Sequence, residues 1–248
     1  MQKISLSALS TLPPAGADKS DHEEMTRALI EELGELQNVL FAQGKYSLLV
    51  VLQGMDASGK DGVIREVFSG VNPMGCRVKG FKKPTEEEMK HDFLWRVHKE
   101  VPEKGMIQIF NRSHYEDVVI QKVHQWVDAD TIRRRYDHIN AFERLLAENG
   151  TRVLKFYLHI SQKEQHERLQ ERLSDPRKMW KYNANDLEES KRWPDYMEAY
   201  EAAFAHCGAD VPWHIIPSDK NWYKEYLIAK TIVETLRGLD LVYPEHKA

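Results

Sequence analysis

The stretch Leu48–Glu66, LLVVLQGMDASGKDGVIRE, constrains this chain more than any other. An apolar run from Leu48 to Leu52 ends in Gln53-Gly54, a short loop follows, and Lys60 opens a predicted helix. Gly54 and Gly59-Lys60 stand at the G-x-x-x-x-G-K spacing of a phosphate-binding P-loop. The strand delivers the chain to a tight turn, and the glycines let peptide N–H groups turn inward around a phosphate. The helix N-terminus adds unpaired donors and its positive dipole end. Gly54, Ala57, Ser58, Gly59 and Gly62 are therefore candidate binding positions, and Lys60 reaches the outer phosphates as a point charge. Ser or Thr commonly follows that lysine and binds Mg²⁺; here it is Asp61, and Asp56 lies within the loop itself. Two carboxylates repel a phosphate unless metal ions lie between them. Asp56 and Asp61 are thus read as metal-facing, directly or through water, with Mg²⁺ as the expected ion and Mn²⁺ as its alternative.

A chain of 248 residues, 42% hydrophobic and 30% charged, has room for one α/β domain with a sizeable core. Its net charge of −4 excludes a basic nucleic-acid coat, so any polyanion site is local. Cys76 and Cys207 make no metal or disulfide framework, which fits a reducing cytoplasm. No apolar stretch approaches a membrane span. The opening MQKISLSALSTLPPAGADKS lacks the sustained apolar core of a signal peptide and reads as an extended arm, residues 1–20, broken at Pro13-Pro14.

After the arm, Ser20 and Glu23 form a capping-box pattern, Met25, Leu29, Leu33, Leu36 and Leu40 recur at helical spacing, and Gly44 stops the helix. Cys76–Phe81 is a second candidate strand. Lys79, Lys82 and Lys83 make its neighbourhood basic, which focuses an anionic substrate if it lies near the P-loop. Thr85 and Glu88 cap a predicted helix carrying Phe93, Leu94, Trp95 and Val97, with Trp95 expected in the core. Met106–Phe110 is a strand ending in Asn111-Arg112-Ser113-His114-Tyr115-Glu116-Asp117, and carboxyl ends of strands are where open α/β sheets bind ligands. Asn111 occupies the point where a Walker B strand finishes in an acid, and Glu116 or Asp117, about a turn on, can supply the missing carboxylate. Arg112 is a candidate phosphate clamp, and His114 is expected to pack. A helix over 129–149, a strand over Thr151–Ile160 and a helix capped by Ser161 and Glu164 follow. Residues 168–200 read as a lid: Arg168, Arg172, Arg177, Lys178 and Lys181 cluster around a break at Asp175-Pro176, with a second helix from about Asp186. A last strand, Pro212–Pro217, precedes a terminal amphipathic helix. The alternation predicts a single three-layer α/β domain over residues 1–248 with a mainly parallel sheet. Composition and spacing leave a phosphoryl-transfer enzyme, such as an ATP-dependent nucleotide kinase, and a nucleotide-sensing switch open.

Five stretches in order say more than their spacings. GMDASGKDG (Gly54–Gly62), FKKPT with HDFLWR (Phe81–Arg96), IFNRSHYEDV (Ile109–Val118), DPRKMWKYNANDLEESKRWPDYMEAYE (Asp175–Glu201) and IIPSDKNWY (Ile215–Tyr223) resemble a polyphosphate kinase of the second family, P-loop enzymes similar in fold to thymidylate kinase. The resemblance runs from Glu23 to Leu239. It implies reversible phosphoryl transfer between inorganic polyphosphate and a nucleotide, with Mg²⁺, by a homodimer or homotetramer acting on adenine nucleotides, with guanine nucleotides as the alternative. By that match Asp56 and Asp61 are the metal and acceptor-phosphate carboxylates, and Lys60 and Arg112 grip transferring phosphates. Arg172, Lys178 and Lys181 act from the lid, while Lys79, Lys82 and Lys83 line the path of the chain. Asn111 stands where other members carry Asp. The HYED run resembles the class III branch, described as phosphorylating both AMP and ADP, where other members carry Asn-Arg in place of Glu116-Asp117.

Overall fold

The apolar run becomes β1 (Ser47–Gln53), with all seven residues buried, as a central parallel strand demands. The computed structural model describes residues 4–181 and 183–245. Four more strands, β2 (Cys76–Gly80), β3 (Ile107–Asn111), β4 (Thr151–His159) and β5 (Trp213–Pro217), complete a sheet of order β2-β3-β1-β4-β5. Every pairing is parallel. The helices are α1 (Lys19–Gln43), α2 (Lys60–Val67), α3 (Trp95–His98), α4 (Glu116–Val123), α5 (Ala129–Glu148), α6 (Gln162–Ser174), α7 (Ala184–Ser190), α8 (Trp193–His206) and α9 (Asn221–Arg237).

Side chains alternate across the strands and so build two cores. Leu48, Val50 and Leu52 join Ile107, Ile109 and Phe156 under Leu33 and Leu40 of α1, Val63 of α2 and Ile228 and Ile232 of α9. Leu49 and Val51 join Phe110 and Tyr157 against Val118 of α4, Phe142 of α5 and Tyr200 of α8. Each such aliphatic or aromatic side chain contributes roughly 1.5–3 kcal/mol on burial. The predicted three-layer architecture is the observed one. Chain order reverses beside β1, so the crevice at its carboxyl end is the binding position of such a sheet.

Several local expectations change. α1 is capped by Asp18, whose side chain accepts from the Asp21 N–H at 3.0 Å, instead of by Ser20 and Glu23. A carboxylate suits the positive helix end and starts the helix earlier. Gly44 closes it with φ 61°, a left-handed conformation glycine adopts freely. The Thr85–Glu88 box does form reciprocally, at 2.8 and 3.2 Å, but supports only one 3₁₀ turn. Asp92 then caps a second start, so the expected helix is two short turns. Trp95 lies outside the core, half-buried and stacked on His91. Pro194, in the first turn of α8, divides the second lid helix into α7 and α8. The N-terminal arm is docked: Leu6 is buried, its N–H donates to Glu201 at 2.7 Å, and Thr11 donates to Asp219 at 2.7 Å.

A buried polar network ties the β3–α4 loop to this scaffold. Lys155 Nζ donates to Glu143 at 2.6 Å, to the Tyr115 hydroxyl at 2.8 Å and to the Cys207 carbonyl at 2.5 Å. Glu143 also accepts from Tyr115 at 2.8 Å and lies 3.3 Å from His114 Nε2. His114 is packed, as its sequence context predicts. Glu143→Ala strands the Lys155 ammonium in the core and is expected to destabilise the fold by about 3–5 kcal/mol, read as a shift in the urea unfolding midpoint. A loss below about 1 kcal/mol, the ordinary exposed-pair value, would show that water replaces the carboxylate.

Candidate active site

The P-loop leaves β1 at Gly54, whose φ of 150° brings its backbone against β4: a Cβ there would meet the Leu158 carbonyl at 3.0 Å. Ala57 and Gly59 are also left-handed, at φ 62° and 99°. Gly59 then serves as the N-cap of α2, and Lys60 opens it. Lys60 folds back on its own loop, donating to the Gly54 carbonyl at 2.8 Å and the Met55 carbonyl at 3.1 Å. Burial, followed by the charge of Arg112, lowers its pKa to about 8. The ammonium is desolvated and poised for a stronger counter-charge than two peptide oxygens.

A cavity of about 1020 Å³ opens over this loop. Lys60, Arg65, Lys82, Arg112, Arg168, Arg172, Arg177, Lys178 and Lys220 line it, against Asp56, Asp61, Glu164, Glu171, Asp175 and Asp219. Nine cations face six carboxylates, in a chain whose net charge is −4. Positive charge is thus concentrated where residues 168–180 meet the carboxyl end of the sheet.

Arg112 projects from the carboxyl end of β3 with φ 62°. That conformation costs a bulky residue about 1–3 kcal/mol. Its N–H donates to the Leu52 carbonyl at 3.0 Å, tying the turn to β1. One arm of the guanidinium pairs with Asp56, the other with Glu116 at 3.0 Å. Glu116 foremost, and Asp56, hold its pKa above the ordinary value. Glu116 also accepts from Gln53 at 3.1 Å. It therefore lies behind Arg112 and outside the cavity wall.

Asp117 turns the other way, 3.8 Å from Arg135. Burial raises its pKa to about 6, with Arg135 opposing. Neither acid supplies the Walker B carboxylate in this arrangement. Asn111 instead donates to Asp61 at 2.8 Å. The hard-oxygen groups here that could hold a metal are Asp56, which pairs with Arg112, and Asp61, with the Asn111 amide as its partner. Among the described residues no group of three His, Cys, Asp or Glu side chains makes a complete cage. Such a set fits a small hard cation that keeps waters and takes phosphate oxygens.

The other expected binding residues divide. Ala57, Gly59, Gly62, Lys82, Arg172 and Lys178 line the cavity. Gly54 and buried Ser58 shape the loop from beneath. Lys79 pairs with Glu100 at 2.5 Å, and neither it nor Lys83 lines the cavity. Alternation along β2 sends neighbouring side chains to opposite faces, which basic composition does not reveal. Arg172 pairs with Asp186 at 2.7 Å and Lys178 with Glu171 at 2.6 Å, so both cations have carboxylate partners within residues 168–200. The Lys181 side chain lies outside the described residues.

Arg168 lines the cavity too, and it also braces the loop. Its donors go to the Ala57, Ser58, Ser218 and Asp219 carbonyls and to Glu164. It clasps the P-loop from the α6 side. Lys220, Asn221 and Lys224 at the start of α9 were not singled out by sequence. One signal existed: Lys224 continues the i, i+4 stripe of buried Ile228 and Ile232.

A parallel sheet with a P-loop at its central strand, an arginine at the next strand end and a basic helical lid defines a P-loop phosphotransferase of the kinase type. Residues 16–242 match the family Polyphosphate kinase 2 (PPK2), and the chain belongs to it. It is 52% identical over 223 residues to an AMP/ADP-polyphosphate phosphotransferase of Meiothermus ruber, covering 90% of this chain and 84% of that protein. It is 40% identical to an ADP-polyphosphate phosphotransferase of Rhodopseudomonas palustris, covering 98% and 89%. The crystal structure of polyphosphate kinase 2 from Arthrobacter aurescens superposes with a TM-score of 0.96 at 42% identity, covering 99% of this chain and 89% of that one.

Proposed function

We propose that the protein transfers the terminal phosphoryl group of inorganic polyphosphate to AMP, giving ADP, and to ADP, giving ATP, reversibly and with Mg²⁺. One observation carries this reading: the excess of cations around a P-loop and lid in a net-acidic chain. A nucleotide needs few such charges; a linear polyanion needs a row of them. A phosphate oxygen of the acceptor attacks the terminal phosphorus in line, the phosphoanhydride bond to the chain breaks, and the shortened polyphosphate leaves with the electron pair. The attacking oxygen is already anionic, so no protein base is required, and positioning and charge do the catalysis.

Lys60 grips the transferring group, Arg112 spans it with its fork, and Arg172 and Lys178 close over it from the lid. Asp56 and Asp61 hold the cation, which neutralises phosphate charge when bound; Mn²⁺ satisfies the same oxygen ligands. The HYED run and the Meiothermus relative's name both support the dual-acceptor, class III reading. Glu116 contributes by orienting Arg112. We further read the protein as cytoplasmic, in keeping with its two free cysteines, and as a homodimer or homotetramer. No helix among the described residues is long and apolar enough to cross a membrane.

The test is product analysis with Mg²⁺ and long-chain polyphosphate, offering AMP and ADP separately without ATP. ATP from ADP, and ADP then ATP from AMP, is expected. Product from one acceptor alone overturns the dual-acceptor reading. Transfer that appears only with ATP as donor hands the site to an ordinary nucleotide kinase.

A further inference from the structure

Peptide N–H groups that face an anion leave their carbonyls facing backward. Behind this P-loop, two such carbonyls are met by cations from distant segments. Arg168 of α6 donates to the Ala57 carbonyl at 3.1 Å and the Ser58 carbonyl at 3.4 Å. Lys224 of α9 donates to the same Ser58 carbonyl at 3.3 Å and to the Asn221 side chain at 2.9 Å. Lys224 is wholly buried, and both its hydrogen-bond partners are neutral oxygens.

The ammonium stands in an adverse place on three counts. Burial strips its water, the largest cause lowering its pKa to about 8, and Arg168 adds to this. Its Nζ occupies the space a Cβ on Gly59 would take, at the N-cap of α2, where the helix dipole is positive. Lys60 lies on the same side, and Glu225 and Glu164 offset only part of the charge. A buried cation without a paired carboxylate is a poor device for stability alone. The cost is offset if an anion occupies the P-loop.

We infer that Lys224 is a positioning residue for the bound phosphate chain: with Arg168 it holds the P-loop carbonyls from behind, so that their peptide N–H groups face the anion. The Ser58 carbonyl shares its peptide with the Gly59 N–H. A cation on that oxygen polarises the unit and strengthens the donor on the other side. Its fixed charge, in a dry setting, adds to phosphate affinity without reorganisation. The same ammonium gives Gly59 a second reason to be glycine, beyond its φ. This inference rests on the reading of the P-loop as the polyphosphate site.

Lys224→Met keeps the length of the side chain and removes its charge. Thermal unfolding is followed without ligand, with long-chain polyphosphate, and with ADP, alongside steady-state kinetics. The ligand-free Tm is expected to hold or rise, by about 3 °C at most. The rise in Tm that phosphate ligands induce should shrink, and KM for polyphosphate should increase about tenfold, with a smaller change in kcat. Lys224→Gln, which retains a donor for the Ser58 carbonyl, should fall between wild type and Lys224→Met. A lower ligand-free Tm with the ligand-induced rise intact for both ligands would make Lys224 merely structural and overturn the inference. A wild-type protein that polyphosphate does not stabilise overturns the functional reading, and this inference with it.

Discussion

Lys60→Ala is expected to abolish phosphoryl transfer, by about 10³-fold or more in kcat, while leaving the protein folded. Lys60 is the loop's own ammonium: it is 8% exposed and held by the Gly54 and Met55 carbonyls. Burial makes its charge costly and, with the charge of Arg112, brings its pKa to about 8. Removing it relieves a desolvation penalty and forfeits two hydrogen bonds to neutral oxygens, so the net effect on stability is small. Arg65, the other cation of α2 on the cavity, is exposed and paired with Glu66 at 2.7 Å, whereas Lys60 opens the helix inside the loop. Rate and unfolding temperature, measured on the same preparation, should therefore separate. Near-wild-type turnover would remove the P-loop from the mechanism.

Arg112→Lys is expected to lower kcat by about 10²-fold, although it conserves charge. The guanidinium bridges Asp56 and Glu116 with separate arms. A lysine has one nitrogen and cannot hold both carboxylates while presenting a planar face to phosphoryl oxygens. Asp56 and Glu116 would then repel each other, and Asp56 would lose the partner that fixes it beside the loop. The left-handed backbone at residue 112 is unchanged by the substitution, so any loss belongs to the side chain. Steady-state kinetics with polyphosphate and ADP decide it. A change below about threefold would reduce Arg112 to a structural ion pair of the ordinary, weakly stabilising kind.

The two residues show what was legible. The P-loop lies in one continuous segment, where local spacing and tertiary geometry coincide, and Lys60 needed only that spacing. Arg112 was legible because it follows a strand end, where an α/β sheet puts its ligand. Its partners were less so. Glu116 and Asp117 are neighbours in sequence, yet α4 turns one toward Arg112 and the other toward Arg135. Asn111 was read as a missing acid, whereas across the crevice it donates to Asp61.

By itself, then, the sequence determined the parallel three-layer sheet, the strand–loop–helix around Gly54–Lys60 and the helix break at Asp175-Pro176. These follow from periodicity, glycine placement and caps, which act over a few residues and leave local signatures. The tertiary structure alone decided which charges serve the cavity and which serve the protein. Lys79 went to Glu100, Lys224 to the back of the P-loop and Lys155 to a buried network with Glu143 and Tyr115, while Arg168 both lines the cavity and braces the loop. A side chain's charge is a local property, but its partner is set by how distant segments pack. Lys224 meets Ser58 only because α9 crosses beneath α2, far along the chain.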